Sequence, residues 1–327
     1  MSYKTTDSLM RHLRDQGIAI SGSSQKQQLI NTGYFHGYKG YRFFKDSSNR
    51  LPFHSYSEIY ATIQYDSALK SLFYGKIMFI ETAVKNIALE SILTQARSEN
   101  LQLIFDRIIS SYHNAPVNAT IEQRKRFQQN KLNLQNSVHA SLAHAYKKNN
   151  PKITHFYDRN GSSGVPIWAL FEIMTMGDFG YLLSCLTYEV RNDISRRLGL
   201  NLASDTNRQL IYKYIYTLKD LRNAVAHNAV VFDTRFRNID PTPAMKQCLI
   251  REFHLPYMNF KTIGDYVILV CYFLKLLHVP KTELRNFIRS FETIVENYRK
   301  SVSSEVASIV IHPDLLSRLS LLKSLIF

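Results

Sequence analysis

From Ser55 to Arg97 the chain runs without a proline and with one glycine, Gly75, while Ile59, Ile63, Leu69, Leu72, Phe73, Ile77, Ile80, Val84, Ile87, Leu89 and Ile92 supply apolar positions, mostly at intervals of three and four. A strand alternates with period two and ends within about ten residues, so spacing of this kind sustained over this length is compatible only with a long helix, opened at Ser55 or Ser57. The same shortage of breakers holds elsewhere, since 12 glycines and 9 prolines serve 327 residues. An all-α fold follows, and turn-rich β architectures are excluded.

The bulk chemistry narrows the function. With 45% hydrophobic and 20% charged residues the chain has an ordinary globular composition and enough material for a large core without staples. Cys185, Cys248 and Cys271 are odd in number, widely spaced and outside any CxxC, which indicates neither a disulfide framework nor a zinc site and fits a reducing cytoplasm. Residues 1–7 lack the apolar core of a signal peptide, and the longest apolar run, Tyr266 to Leu277, is interrupted by Lys275 and too short to span a bilayer. The expectation is a cytoplasmic protein with no membrane partner. A net charge of +15 implies attraction to polyanions, nucleic acid foremost. No metal-ligand cluster, Gly-rich phosphate loop or Ser/Cys triad stands out, so neither cofactor nor metal is expected.

Along the chain, residues 1–50 read as an N-terminal helical and aromatic segment. Thr6 is placed to cap a helix carrying Leu9, Met10 and Leu13 and closed by Gly17; Ser23 or Ser24 starts another, closed by Gly33. Tyr34 to Phe44 mixes aromatics with glycines and basic residues, a composition that stacks on bases or, the preferred reading, packs a seam between helices. Residues 51–300 form the expected helical core and 301–327 an amphipathic C-terminal segment. Within the core a basic insertion is expected around 117–160, where Arg124, Lys125, Arg126, Lys131, Lys147 and Lys148 sit among Gln and Asn. It is either an exposed arm on a phosphate backbone or a solvated amphipathic helix. Loops are expected at Asn149-Asn150-Pro151 and at Arg159 to Gly164, and Arg235 and Arg237 lie in a second basic segment offered to RNA.

The chemistry-bearing stretch is Leu221-Arg222-Asn223-Ala224-Val225-Ala226-His227-Asn228. Arginine presents a permanent planar fork of donors to phosphate oxygens, and histidine moves a proton near neutrality. Together they suit cleavage of RNA, whose own 2′-OH supplies the nucleophile. Asn223 and His227, four apart, share a helix face, whereas Arg222 and His227 are about 140° apart around it. Asn228 tolerates the left-handed conformation that ends helices, which puts His227 near a terminus. A second Arg-to-His spacing, Arg107 to His113, lacks the amide and reads as a helix end with His113 near the last carbonyls. The plainer alternative for the first copy is Arg222 paired with Asp220 or a helix terminus and His227 as a cap. Glu81 and Lys85, four apart, form either a surface ion pair or support for the site.

These pieces, in order, resemble the Abi-like proteins of the AbiD/AbiF abortive-infection group, within the HEPN superfamily. The resemblance rests on Gly33 to Phe44, on Phe79 to Asn86, on Pro166 to Asp178 with Trp168, and on Leu221-Arg222-Asn223 with Ala226-His227-Asn228. It implies an HEPN-like helical bundle with an N-terminal appendage and extra C-terminal helices, two protomers pairing so that two RNxxxH motifs face one cleft. His227 is then the base or acid, Arg222 holds the scissile phosphate and Asn223 orients one of them, with Glu81, Lys85 and Asn228 as supporting residues. Lys85 departs from relatives that place an arginine there, keeping the charge but losing the fork. The implied activity is a metal-independent endoribonuclease toxin of antiviral defence, restrained by a small-RNA or protein antitoxin. The alternative is a non-catalytic module of the same fold that binds RNA or protein, regulated by a cognate small RNA.

Overall fold

The computed structural model describes residues 5–160 and 164–326. Among them the fold is all-α, as expected: fifteen α-helices and one π-helical segment, with isolated bridges as the only β features. The chain groups into two compact units, one of residues 1–78, 220–241 and 249–327, the other of 79–219 and 242–248. Helices α3 (Tyr56–Ala96) and α10 (Leu210–Ala226) contribute residues to both. The apolar stripe read along α3 is the buried one, from Ile59 and Ile63 to Val84 and Ile92.

In the first unit, α1 (Thr6–Asp15) and α2 (Gly22–Thr32) lead into the π-helical turn Gly33–Lys39. The caps fall earlier than the sequence suggested. Thr5 is the extended residue whose side chain accepts from the Ser8 amide, and Ser21, also extended, precedes α2. The expected stops at Gly17 and Gly33 are both left-handed, with φ of 79° and 73°. Tyr38 and Tyr41 of the aromatic segment are buried, so most of it packs; Phe35 is exposed. The long apolar run becomes α12 (Ile263–Leu276), buried at every position from Ile263 to Leu274, with α13 (Lys281–Ser301) and α15 (Leu315–Ile326) packed on it. No helix of the described residues is long and apolar enough to cross a membrane.

The second unit contains α4 (Leu101–Arg107), α5 (Ile121–Lys147), α6 (Pro151–Asn160), α7 (Ile167–Ile173), α8 (Met176–Cys185) and α9 (Tyr188–Arg197). The basic stretch around 117–160 is mainly α5, started by a reciprocal capping box between Thr120 and Gln123. Leu134, Val138, Leu142 and Ala145 are its buried stripe, packed toward α6, α7 and α8. The stretch takes the form of an amphipathic helix. Asn149, at φ 51°, makes the expected turn before Pro151, the first residue of α6. Of the loop expected over Arg159 to Gly164, residues 161–163 lie outside the described residues, as do the first four of the chain. The second Arg-to-His copy is resolved differently from expectation. α4 ends at Arg107, whose guanidinium donates to the Ala96 carbonyl at 2.6 Å, and His113 lies beyond the helix.

Glu58 joins two helix starts in the first unit. Its carboxylate accepts from the backbone amides of His54 (2.8 Å) and Ser55 (3.2 Å) before α3, and of Ser303 (2.9 Å) before α14 (Ser304–Val310). Burial opposes ionisation, but the hydrogen bonds from Ser303, His54 and Ser55 outweigh it and hold the group below its ordinary range. A depressed carboxyl stabilises the fold above its unfolded pKa and loses that contribution as pH falls through the folded one. Glu58→Gln is therefore expected to cost about 1–3 kcal/mol at neutral pH in urea unfolding. The gap to wild type should close under acid, below the usual carboxylate range; a gap that stays constant contradicts the assignment.

Candidate active site

The motif helix α10 is held by its apolar stripe, with Ile215, Leu218, Leu221 and Val225 buried. Its end is set by Asn228, which adopts φ 54°. The Ala229 amide returns to the Ala224 carbonyl at 2.8 Å and the Asn228 amide to Val225 at 3.4 Å, the paired bonds of a Schellman motif. His227 is thus the C-cap residue, as the plainer reading had it, and it is exposed. Its amide donates to the Asn223 carbonyl at 2.9 Å, one turn back. The half-buried Arg222 directs Nη1 to Oδ1 of Asn223 at 3.4 Å. No hydrogen bond engages the His227 ring among the described residues. The cap leaves an exposed imidazole on the helix end that also carries a guanidinium–amide pair.

What fixes this end is Asp66 on α3, whose side chain is fully buried. Oδ1 accepts from the amides of Val231 and Phe232 at 2.7 and 2.8 Å, and Oδ2 accepts from the Tyr41 hydroxyl at 2.7 Å and from Lys70 Nζ at 2.9 Å. Four donors on one carboxylate satisfy it without water. Burial first, then the neighbouring Asp66 charge, raises the Tyr41 hydroxyl well above its ordinary pKa, so Tyr41 remains a donor. Lys70, itself buried, also donates to Asn228 Oδ1 at 2.6 Å. That bond decides which way the Asn228 amide faces, leaving Nδ2 toward His36 Nε2 at 3.3 Å. An amide nitrogen only donates, so His36 Nε2 is the acceptor in that contact. An unbroken chain runs from a core carboxylate through lysine and amide to a second exposed imidazole on the π-helical turn. Asp233 extends the anchoring, accepting from the Lys45 amide (2.6 Å) and the Arg235 guanidinium.

The other residues singled out from sequence separate by how they are engaged. Arg235 binds Asp233 and the carbonyls of Gly40 and Phe43; Arg237 binds Asp240 and the carbonyls of Asn259 and Phe260. Arg124 donates to the carbonyls of Tyr112, Pro116, Val117 and Ala119, and Lys131 pairs with Asp106. Lys125, Arg126, Lys147 and Lys148 are exposed on or just beyond α5. Glu81 and Lys85 belong to the second unit and make an ion pair at 2.9 Å, not on the surface as the simpler reading had it: both side chains are largely buried, and Lys85 also donates to the Met174 carbonyl at 2.7 Å, at the end of α7. No group of three His, Cys, Asp or Glu side chains among the described residues is placed to hold a metal ion. The three cysteines are buried thiols, and burial raises Cys185 to about 11, which disfavours its thiolate.

Sequence reasoning missed Asp66, Lys70 and His36. A signal was present for the first two: Asp66 and Lys70 fall on the same helical register as Ile59, Ile63 and Phe73, two opposite charges inside a core stripe. Removing Asp66 strands Lys70 and two amides, so Asp66→Ala is expected to cost about 3–5 kcal/mol in chemical unfolding. Lys70→Met, which leaves the carboxylate three donors, should cost less. The reverse order contradicts the assignment of Asp66 as the hub.

A family model described as Abi-like protein matches residues 27–233, from α2 through the motif to the segment tied down by Asp66. No curated protein and no solved structure matches the chain.

Proposed function

Since the chain belongs to the Abi-like protein family, which suggests a role in abortive infection, we propose that it is a metal-independent endoribonuclease toxin of the HEPN type. The observation that carries this reading is the helix end itself. Arg222, Asn223 and His227 share the end of α10, the imidazole is exposed at the cap, and the left-handed Asn228 that follows it is locked by Lys70 and, through it, by Asp66.

In the proposed reaction His227 takes the proton of a ribose 2′-OH, O2′ attacks the adjacent phosphorus, and the bond to O5′ breaks. The products are a 2′,3′-cyclic phosphate and a 5′-OH, the leaving oxygen receiving a proton from an acid. Arg222 supplies a fixed charge to the non-bridging oxygens, and Asn223, accepting from its Nη1, keeps the fork in place. One exposed imidazole serves one proton transfer at a time. A second protomer facing the first would bring another His227, and the homodimer is proposed on that ground. His36, whose contact with Asn228 steadies the cap, is a positioning residue within the chain. Glu81 and Lys85 are proposed as support at the end of α7. The proposed setting is the cytoplasm, with a small-RNA or protein antitoxin restraining the activity.

The test is degradation of RNA by the purified protein in EDTA. Wild type is expected to cleave, and His227→Ala and Arg222→Ala each to lose at least about a hundredfold in rate. Cleavage that requires added metal, or that survives both substitutions, overturns the mechanism. Salt-sensitive RNA binding without cleavage by any form would favour the non-catalytic module instead. Solution mass offers a second check: the active species should have about twice the 38.0 kDa chain mass, and a strictly monomeric active nuclease would remove the two-motif site.

A further inference from the structure

The second unit holds a cleft that the motif chemistry does not use. It is about 480 Å³ in volume and lies between α5 and α6, lined by His139, Leu142, Ala143, Tyr146 and Tyr157. Leu142 is buried at its floor, while the two tyrosines, at 44% and 41% exposure, meet edge to face with ring centroids 5.4 Å apart. Because their rings touch, the two present one aromatic face to solvent and not two scattered side chains. The Tyr146 hydroxyl donates to Asp158 at 3.0 Å, which fixes the orientation of its ring.

Charge says what kind of partner fits. From Gln123 to Tyr157 the chain carries no Asp or Glu, against Arg124, Lys125, Arg126, Lys131, Lys147, Lys148 and Lys152. Of these, Arg124, Lys131 and Lys152 are bound to carbonyls or acids of the same unit. Lys147 and Lys148, immediately after Tyr146, are exposed, and the acid beside the cleft, Asp158, already accepts from Tyr146. An apolar peptide would gain nothing from this field and an acidic one would leave the aromatic faces uncovered. A polyanion whose subunits each carry a flat ring matches both features.

We propose that this cleft is a binding site for single-stranded RNA, in which an unpaired base stacks on Tyr157, beside the Tyr146 ring held by Asp158, while Lys147 and Lys148 hold the flanking phosphates. The inference rests on the RNA reading given above and adds a substrate-holding site to it. Duplex RNA, whose bases are already stacked, does not enter.

The test uses the full chain carrying His227→Ala, so that RNA stays intact, and a fluorescein-labelled mixed-sequence RNA 12-mer, single-stranded or annealed, followed by anisotropy across a salt series. Tyr157→Ala is expected to weaken single-strand binding about five- to hundredfold with an unchanged salt slope. Tyr157→Trp should restore binding, and neither change should alter duplex binding. Lys147→Ala with Lys148→Ala is expected to lower the single-strand salt slope by about 1.4. Single-strand affinity unchanged by Tyr157→Ala, or lost equally for duplex, overturns the proposal; Tyr157→Trp guards against misfolding as the cause. A parent that binds neither RNA also overturns it, whatever wild type cleaves. A parent that binds as described, beside a wild type that fails to cleave, upholds the cleft and removes the nuclease reading alone.

Discussion

A fully buried carboxylate with four donors organises the end of the first unit that carries the motif. Asp66 has no access to solvent, so its charge is tolerable only because two backbone amides, a tyrosine hydroxyl and an ammonium converge on it. Those donors come from three distant stretches of chain: the aromatic segment through Tyr41, the long helix α3 through Lys70, and the segment leaving α10 through Val231 and Phe232. The exit of the motif helix is thereby fixed in direction, and Lys70 passes the constraint to the left-handed Asn228. An exposed histidine at a helix end would ordinarily fray; here the residue that follows it is fastened to the core.

The same economy appears in how the unit handles its cations. Arginines in a chain of net charge +15 invite reading as phosphate ligands, yet Arg235 and Arg237 turn their guanidiniums onto carbonyls and aspartates of their own unit. Planar donors in a fixed fork satisfy several carbonyls at once, which is what the helix end at Gly40 and the irregular backbone at Phe43 and at 259–260 need. In the second unit three lysines, flexible point charges, are left outside: Lys125, Lys147 and Lys148.

Much of the fold was legible because helix formation is a local, periodic property. The apolar spacing of α3, the stops at Gly17 and Gly33, and the left-handed turn at Asn228 are all read from neighbours within a few residues. The motif was legible for the same reason, since a turn of helix aligns Asn223 with His227 wherever the helix lies. Lys70, one turn from Asp66, left a signal, but Tyr41, Val231 and Phe232 did not, because they lie 25 to 166 positions away and only packing brings them to the carboxylate. Arg107 shows the limit from the other side: the spacing to His113 is real, but the helix ends at the arginine, a boundary that spacing alone does not fix. The state of the 117–160 stretch likewise turned on whether a thin stripe, Leu134, Val138, Leu142 and Ala145, found a surface to bury against.

The proposal that this helix end cleaves RNA through the substrate's own hydroxyl meets its most direct test in the chemistry of the cut ends. Digestion of a defined single-stranded RNA, read by mass spectrometry of the fragments, should give 2′,3′-cyclic phosphate or its hydrolysed monophosphate on one side and a 5′-hydroxyl on the other. A copy with 2′-deoxyribose at the scissile nucleotide should survive intact. Fragments ending in 5′-phosphate, or cleavage of the deoxy copy at the same bond, would contradict the account, because each requires a nucleophile other than the 2′-oxygen.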